Sequence, residues 1–570
     1  MADVPSGGVP KRSGVEILKE NSRFLRGNIV AELNDGTDHV SKDSYNLLKF
    51  HGTYQQEDRD ARKTRDKTGL AKHYIFMVRC KIPGGRVTAD QYLALDELAE
   101  RYANHTLRLT TRQGIQFHGV LKSQLRPIIH DINQTLLTTL GACGDVERNV
   151  MCSALPIKDA VHAQVQEAAD AIAAHLAPRS KAYHEIWING KPAQEASGAG
   201  EDEPIYGKTY LPRKFKTGIA LPDDNDVDVY AQDLGFIALV EQGRITGYNV
   251  LVGGGMGMTN SNPNTFPYLA RPVCSIAAAD IVRMAEAVVK LYRDHGNRAD
   301  RKRARIKYVI AEWGVPRFKE VLETYFGGRL ADPRPIDLQP MKQLYGWHPQ
   351  GNGRFYYWLS IENGRIKDDG DFRLRTALRS LVARCKPALR ITPMQDLILA
   401  DLPAEARGEV ETTLRTHGVR LPEQLSLVQK LSMACPAIPT CGLALSESER
   451  ALPGLIDELE AELQRLGLER ECLVVRMTGC PNGCARPYQS DIGIVGRSGD
   501  KYTLYVGGRL LGDRLNFMLR DLVPFRQIVP TLAPLLDAFK SERTPGEGFG
   551  DWCQRRGVEH LQSLLPKAGS

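Results

Sequence analysis

The sequence predicts an α+β protein built as a two-fold duplication. Helical patterns and β-rich runs follow one another without the regular strand–helix–strand rhythm of a parallel α/β protein. Two segments of the first half recur in the second half, in the same order. The repeat unit is longer than two hundred residues, which is too long for a solenoid repeat. We therefore predict two related halves, each with a smaller and a larger module.

The recurring segments are similar in sequence and spacing. LRLTTRQGIQFHGV at 107–120 corresponds to LRITPMQDLILADL at 389–402. DLGFIALVEQGRITGYNVLVGGG at 233–255 corresponds to DIGIVGRSGDKYTLYVGGR at 491–509, with Tyr-x-x-x-Val-Gly-Gly in both. The runs GYNVLV and KYTLYVGG within them are typical of strands.

Two helices can be predicted from local signals. Thr88-x-x-Gln91 is a capping-box pattern and predicts a helix that begins there. A leucine stripe that ends at Gly467 predicts another helix at about 446–466.

Composition limits the class of protein. The 570 residues are 42% hydrophobic and 25% charged, as in globular domains, and the length suggests about three or four of them. No apolar run approaches the ~20 residues of a membrane span, and the N-terminus lacks the apolar stretch of a secretion signal. We expect a cytoplasmic chain whose 11 cysteines stay reduced, which favours metal binding or reactivity over disulfides.

The net charge of +7 leaves several partners open. A basic chain can bind nucleic acid, but it can equally hold polyanionic small molecules or an acidic protein. The densest basic run, 296–308, lacks the interleaved aromatic residues that stack on bases, and it can also be read as a solvated helix face.

Four cysteines form two spaced pairs. Cys435 and Cys441 make C-x5-C, and after 38 residues Cys480 and Cys484 make C-x3-C. The x5 interval is wide for a zinc knuckle. Four thiolates from two loops suit an iron–sulfur cluster, with zinc or incidental cysteines as alternatives.

A second set of residues is cationic and lies in apolar, strand-like surroundings, where an unpaired charge is costly to bury. Its members are Arg79, Arg108, Arg112, Arg148, Arg213, Lys214 and Lys216. On a strand, Lys214 and Lys216 would face the same side, which indicates an anion between them. Edge-strand lysines that discourage aggregation are the alternative.

The run VLVGGGMGM does not predict a dinucleotide site. Met258 stands where the last glycine of the fingerprint belongs, and no helical pattern follows. Since no flavin or nicotinamide fingerprint occurs elsewhere, we expect electrons to arrive from another protein or domain.

Together, the C-x5-C pair, TGCPNGC, the cationic set and the duplication resemble the sulfite/nitrite reductase family, in its assimilatory sulfite-reducing branch. The resemblance runs from FLRGNIVAELND near the start to GEGFGDW near the end. It implies siroheme, an iron tetrahydroporphyrin with eight carboxylates, coupled to a 4Fe-4S cluster.

The resemblance also implies site residues. Cys435, Cys441, Cys480 and Cys484 would bind the cluster, and Cys484 would bridge to the siroheme iron. Arg79, Arg148, Lys214 and Lys216 would surround sulfite. The implied siroheme contacts are Arg108, Thr110, Arg112, Gln116, His118, Asn149, Arg213, Asn482 and Cys484, with the 296–308 run and the backbone of Gly253 to Gly255 as further candidates. For His118, a histidine satisfied by a neighbour in a strand is the alternative.

The family's architecture implies two ferredoxin-like half-domains paired into one domain and two larger cofactor-binding domains. The predicted modules are 1–62 (N-terminal extension), 63–147 (first half-domain), 148–345 (first larger domain), 346–427 (second half-domain) and 428–570 (second larger domain). We also expect the loop TGCPNGCARP to correspond to LPRKFKT in the first half, so that one half supplies thiolates and the other supplies cations.

The implied activity is six-electron reduction of sulfite to sulfide. Nitrite reduction on the same scaffold is the rival, and Lys216 and Gly483 favour sulfite. The donor would be an NADPH-oxidising flavoprotein, favoured by FHGTYQQEDRDAR and ACGDVERNVMC, or ferredoxin. No nucleic acid or membrane partner is then expected. A zinc-stabilised, basic nucleic-acid-binding protein is the alternative from another class.

Overall fold

The computed structural model describes residues 12–62, 69, 72–189 and 203–566. Two predictions concern residues outside this part of the chain. One is the absence of a secretion signal, which depends partly on segment 1–11, and the other is the domain boundary at residue 63. Within them, no helix combines the length and apolarity needed to cross a bilayer. The location of the chain in the cell stays a prediction.

The first module is a five-stranded antiparallel sheet flanked by helices. The module contains strands β1–β5, which are Thr53–Glu57, Tyr74–Arg79, Arg86–Val87, Leu107–Leu109 and Ile115–Val120. Its sheet has the order β1-β2-β5-β4 and is completed by a strand of the third module, whereas β3 joins the sheet of the third module. Helices α1–α5 are Gly14–Asn21, Ile29–Leu33, Lys42–Leu48, Ala89–Tyr102 and Leu125–Gln134. The predicted capping box is present at the start of α4, where Thr88 and Gln91 bond reciprocally. Since β1 pairs with β2, the sheet begins within the predicted 1–62 extension.

The second module is larger and has a mixed sheet. Strands β6–β10 are Met151–Cys152, Thr217–Ala220, Leu234–Glu241, Arg244–Val252 and Arg271–Ala277. Helices α6–α9 are Ala160–His175, Ala182–His184, Ile281–His295 and Ile306–Phe326. β6, β7 and β8 are parallel, whereas β9 and β10 join antiparallel.

The third module is the counterpart of the first. Strands β11–β17 are Gly346–Pro349, Phe355–Leu359, Arg365–Ile366, Asp368–Asp369, Phe372–Arg373, Ala388–Ile391 and Leu397–Leu402. Helices α10 and α11 are Leu374–Cys385 and Ala406–Thr416. Its main sheet has the order β11-β12-β17-β16, completed by β3 from the first module.

The fourth module repeats the second. Helices α12–α16 are Leu427–Lys430, Leu452–Leu466, Ile528–Glu542, Phe549–Arg556 and Val558–Ser563. Strands β18–β22 are Met433–Ala434, Val475–Thr478, Ile492–Ser498, Lys501–Val506 and Phe517–Pro524. β18, β19 and β20 are parallel and β21 and β22 are antiparallel, which is the pattern of the second module. The α+β class and the duplication are confirmed.

The two half-domains exchange a strand each. β3 pairs with β16 and β13 pairs with β4, so each sheet is completed by a strand of the other half. Each exchanged strand follows a glycine in the left-handed region, Gly85 (φ +70°) and Gly364 (φ +72°). A Cβ there would lie 2.4 Å from the carbonyl oxygen of Ile391 or Leu109, so close backbone approach requires glycine.

The helix predicted at 446–466 begins later, at Leu452. The preceding residues serve as contacts between segments instead. Ser448 Oγ donates to the carbonyl of Met477 at 2.9 Å, and Glu449 accepts from Arg108 at 2.8 Å. Pro453 lies in the first turn of the observed helix, where its missing N–H breaks no helical hydrogen bond, so it favours a start at Leu452.

Candidate active site

A cavity lies where the two larger modules meet the first half-domain. Its wall includes Arg112, Lys214, Lys216, Arg305, Cys484 and Arg486. Cations and a thiol thus line the same cavity. The remaining features of the site follow from how the four modules deliver these side chains.

Parallel strands bring the cysteines together. Cys435 directly follows β18, while Cys480 and Cys484 follow the adjacent strand β19. Because neighbouring parallel strands end at the same edge of a sheet, the two cysteine segments meet there. Cys441 packs beside Cys435 at the same place.

Polar hydrogens point at the sulfur atoms. Gly479 N–H donates to Cys435 Sγ at 3.3 Å, and Asn482 Nδ2 lies 3.4 Å from Cys480 Sγ. Burial raises the pKa of Cys435 and Cys480 to about 12 and that of Cys441 to about 11. These thiols therefore need a metal in place of the proton to become thiolates near neutral pH.

The arrangement of the thiols does not suit a single metal ion. Among the described residues, no three His, Cys, Asp or Glu side chains converge on one point as a tetrahedral zinc site requires. In a 4Fe-4S cluster each thiolate binds a different iron, so the four sulfur atoms stand apart. The zinc alternative is therefore not supported by the geometry.

Lys214 and Lys216 also line the cavity, and they lie in the segment that enters β7. Both border the cavity, and protein encloses them on the other sides. Burial lowers the pKa of Lys214 to about 7, and burial followed by the charge of Lys214 lowers that of Lys216 well below its usual value. No described side chain forms an ion pair with either lysine.

Arg79 and Arg148 are held by neutral groups. Arg79 donates to Cys143 Sγ at 3.0 Å and, when the Gln116 amide is oriented to satisfy its neighbours, to Gln116 Oε1 from Nε at 2.8 Å. Arg148 Nε donates to the carbonyl of Gly144 at 2.8 Å. Both guanidinium groups therefore keep their charge available.

Several predicted siroheme contacts also form hydrogen bonds within the fold. Arg108 pairs with Glu449 at 2.8 Å and donates to the carbonyl of Ala434 at 2.9 Å, which ties the first half-domain to the Cys435 segment. Thr110 Oγ1 accepts from Arg112 N and Gly114 N within its own turn. Arg108 and Thr110 therefore have contacts within the fold, and their roles as siroheme contacts stay predictions.

Asn149 is likewise occupied by backbone. Its amide bonds to both the N–H and the carbonyl of Ile82, at 2.8 and 2.6 Å.

His118 lies beside Gln116, and its Nε2 is 3.2 Å from the side-chain amide of Gln116. The alternative of a histidine satisfied by a neighbour therefore describes that nitrogen. Its Nδ1 is buried without a partner among the described residues, and burial lowers the pKa of the ring well below its usual value.

Three other predicted contacts reach the site or its edge. Arg112 lines the cavity and donates to Gln232 Oε1 at 2.7 Å, and burial lowers its pKa to about 9. Asn482 also lines the cavity. Arg213 lies farther out, 3.8 Å from Asp145.

The glycine backbone offers less than predicted. The N–H groups of Gly253 and Gly255 already donate to the carbonyls of Asp233 and Tyr268, at 2.9 and 2.7 Å. They are therefore not free to bind a carboxylate.

Arg305 and Arg486 line the cavity but were not singled out from the sequence. Arg305 lies within the basic run 296–308 and forms a two-pronged pair with Asp233, at 2.9 and 2.7 Å. Arg486 follows Cys484 by two residues in the quoted motif, and that proximity was the available signal.

Arg486 fastens the Cys484 loop to three other segments. It pairs with Asp228, and it donates to the carbonyls of Thr111 at 3.2 Å and Pro393 at 3.1 Å. Asp228 and Arg486 both have left-handed backbone, φ 48° and 57°, and each precedes a short 3-10 turn. They occupy matching positions in the two halves.

That match corrects one expectation. The counterpart of TGCPNGCARP is the acidic loop LPDDNDVDVY after β7, rather than LPRKFKT, which precedes β7. Cations and thiolates still come from different halves, but from opposite ends of matching strands.

Comparison with known proteins now identifies the fold. The model of the nitrite and sulphite reductase 4Fe-4S domain matches residues 167–330 and 432–568, which are the two larger modules. The chain belongs to the nitrite and sulfite reductase family. The model of that family's ferredoxin-like half domain matches residues 70–135, in the first half-domain.

Individual members of the family match over nearly their whole length. A Staphylococcus saprophyticus protein named sulfite reductase (NADPH) hemoprotein beta-component is 44% identical and is covered over 98% of both chains. The protein of that name from Geobacillus kaustophilus is 44% identical over 96% of both. The solved structure of the Mycobacterium tuberculosis NirA protein superposes with a TM-score of 0.78 at 25% identity, covering 97% of this chain and 98% of that one.

Arg486→Lys should weaken cluster binding, because lysine keeps the charge but cannot bridge Asp228, Thr111 and Pro393 together. Outer contacts of metal ligands are typically worth about 10–100-fold in metal affinity or activity. We expect less iron and acid-labile sulfide per chain after dialysis against a chelator, measured by metal and sulfide analysis.

Arg497→Lys is the matched control, since Arg497 lies in the same module and pairs with Asp521 near the surface. Cys484→Ser, which removes the sulfur itself, gives the lower limit. Equal iron retention in Arg486→Lys and Arg497→Lys would show that Arg486 does not hold the loop.

Proposed function

We propose that the chain is the hemoprotein subunit of an assimilatory sulfite reductase, which reduces sulfite to sulfide with six electrons at siroheme coupled to a 4Fe-4S cluster. One observation carries this proposal. Cys484, Lys214 and Lys216 line the same cavity, and Cys484 is within electrostatic range of Lys214. A sulfur ligand for iron and an anion-binding wall thus face the same space.

The residues present fit both groups. Cys435, Cys441, Cys480 and Cys484 would hold the cluster, and Cys484 would also reach the siroheme iron. Arg112 and Arg305 on the cavity wall would attract the siroheme carboxylates through their positive charge. When bound, these groups supply the electrons and the metal on which S–O bonds are broken.

The protein's own contribution is to bind and orient the anion and to donate hydrogen bonds and protons. Arg79, Arg148, Lys214 and Lys216 would surround the oxygen atoms of sulfite. Each oxygen leaves as water and therefore needs protons. A lysine whose pKa is about 7 can give up a proton near neutral pH, which suits Lys214 to this task.

The substrate assignment predicts a kinetic preference. With one chemical reductant for both anions, the reconstituted protein should show a kcat/KM for sulfite at least about tenfold above that for nitrite, equivalent to ~1.4 kcal/mol of transition-state stabilisation. Lys214 and Lys216 together suit the more highly charged anion. A higher kcat/KM for nitrite would assign the chain to the nitrite-reducing members instead.

Lys216→Met tests the role of the cationic wall. The substitution removes the charge and keeps most of the volume, so we expect kcat for sulfite to fall about 100-fold, the usual effect of losing one charge-stabilising donor. The visible spectrum and iron content should stay as in the parent protein. Unchanged turnover would remove Lys216 from the set of groups that act on the substrate.

We also infer that the electron donor is an NADPH-oxidising flavoprotein subunit. The names of the Staphylococcus and Geobacillus relatives support this inference. Sulfide formation should be at least about tenfold faster with NADPH and such a flavoprotein than with reduced ferredoxin at equal concentration. This ratio corresponds to a difference of ~1.4 kcal/mol in activation free energy. A faster rate with ferredoxin would contradict the inference.

A further inference from the structure

A second group of cations lies outside the cavity, around the carboxylate of Asp145. Arg301 pairs with Asp145 at 2.7 Å, and Arg213 lies 3.8 Å from it. Lys49, at the end of α3, lies within electrostatic range of both arginines and of Asp145. These three cations, which we call the outer cluster, come from three separate segments of the chain.

Lys49 is held in place without a carboxylate of its own. Its Nζ donates to Asn46 Oδ1 at 2.8 Å and lies 3.8 Å from the centre of the Tyr45 ring. No described Asp or Glu forms an ion pair with it. Burial, and then the charges of Arg301 and Arg213, lower its pKa to about 8. Because these surroundings disfavour the charged form of Lys49, a bound anion would stabilise that form.

Asp145 does not neutralise the outer cluster, because it also serves a cation behind it. Lys19 lies 3.6 Å from Asp145 and 2.6 Å from Glu16, in a buried network that Arg298 completes. Arg301 and Lys19 therefore share this carboxylate, and Arg213 is beyond hydrogen-bond distance from it. The outer cluster keeps an excess of positive charge.

Arg148 connects the outer cluster to the cavity wall. It lies within electrostatic range of Lys49 and Asp145 on one side and of Lys214 on the other. The side chains of Arg213 and Arg301 are 36% and 26% exposed, whereas Arg148 is buried. The cations therefore form a row that leads from partly exposed positions toward Lys214 on the cavity wall.

We propose that Lys49, Arg213 and Arg301 form an outer binding site for a small oxoanion, which captures the substrate from solvent and passes it to Arg148. The proposal rests on the proposed function, since it takes sulfite as that anion. A cationic path raises the local anion concentration and the rate of association. Because exposed charges are screened by salt, its effect must weaken as ionic strength rises.

Lys49→Gln in the holoenzyme tests the proposal. At low ionic strength, kcat/KM for sulfite should fall roughly 3–10-fold, a fraction of the rate gain known for whole steering fields. The value of kcat at saturating sulfite should stay within about twofold of the parent, because Arg79, Arg148, Lys214 and Lys216 are unchanged. The deficit should shrink as salt is added, which distinguishes steering from damage to the site.

Three controls accompany the Lys49→Gln variant. Lys42→Gln removes an equal charge from an exposed position on the same helix and should behave as the parent. Lys49→Arg keeps the charge and should restore most of kcat/KM. The rate at which carbon monoxide, a neutral ligand, binds the reduced holoenzyme should be the same in all variants, as should siroheme absorbance per chain.

Other outcomes overturn the proposal. Equal kcat/KM in Lys49→Gln and Lys42→Gln would show that Lys49 captures no substrate. A loss that persists at high salt, slower carbon monoxide binding or reduced siroheme absorbance would assign Lys49 to the cofactor or to the fold. Absence of sulfite turnover in the parent protein would instead refute the proposed function, so the two failures are distinguishable.

Discussion

The buried ion pair between Asp228 and Arg486 sets the geometry of the whole site. The two residues occupy matching positions in the duplicated halves, so the pair joins the halves where their counterpart loops meet. Arg476 shares the same carboxylate at 2.9 Å. Breaking one partner of a buried pair typically costs about 3–5 kcal/mol, because the other charge stays buried alone. The position of Cys484 relative to the lysines therefore depends on this contact.

Features that repeat or carry unusual chemistry could be predicted from the sequence. The duplication was visible because Tyr-x-x-x-Val-Gly-Gly and LR-x-T-x-x-Q recur in the same order, and the structure shows matching sheets at both places. The two cysteine pairs and the Lys214–Lys216 spacing were also readable. Such residues are costly to keep in apolar surroundings unless something binds them, so their pattern indicates a site without knowledge of the fold.

Contacts between distant segments could not be predicted. Arg108 and Arg112 look alike in LRLTTRQ, yet Arg108 bonds to Glu449 and Arg112 reaches the cavity. Nothing local distinguishes them, because the partner of Arg108 lies 341 residues away. The strand exchange of β3 and β13 could not be predicted either, because two-residue strands show no periodicity in the sequence. Sequence patterns show which residues need a partner, and only the fold shows which partner they have.

Because of the enclosed cations, the stability of the protein depends on whether an anion is bound. The direction of this effect follows from the lowered pKa of Lys214. The pKa of Lys214 is about 7 in the fold against 10.5 in an open chain. Between these values the unfolded chain holds the extra proton, so this lysine lowers the stability of the empty protein as pH falls from 10.5 toward 7. An anion against Lys214 favours the charged form and reverses that loss. Near neutral pH, this site therefore lowers the stability of the protein most when no anion is bound. The exchanged strands and the buried Asp228–Arg486 pair stabilise the fold against that cost.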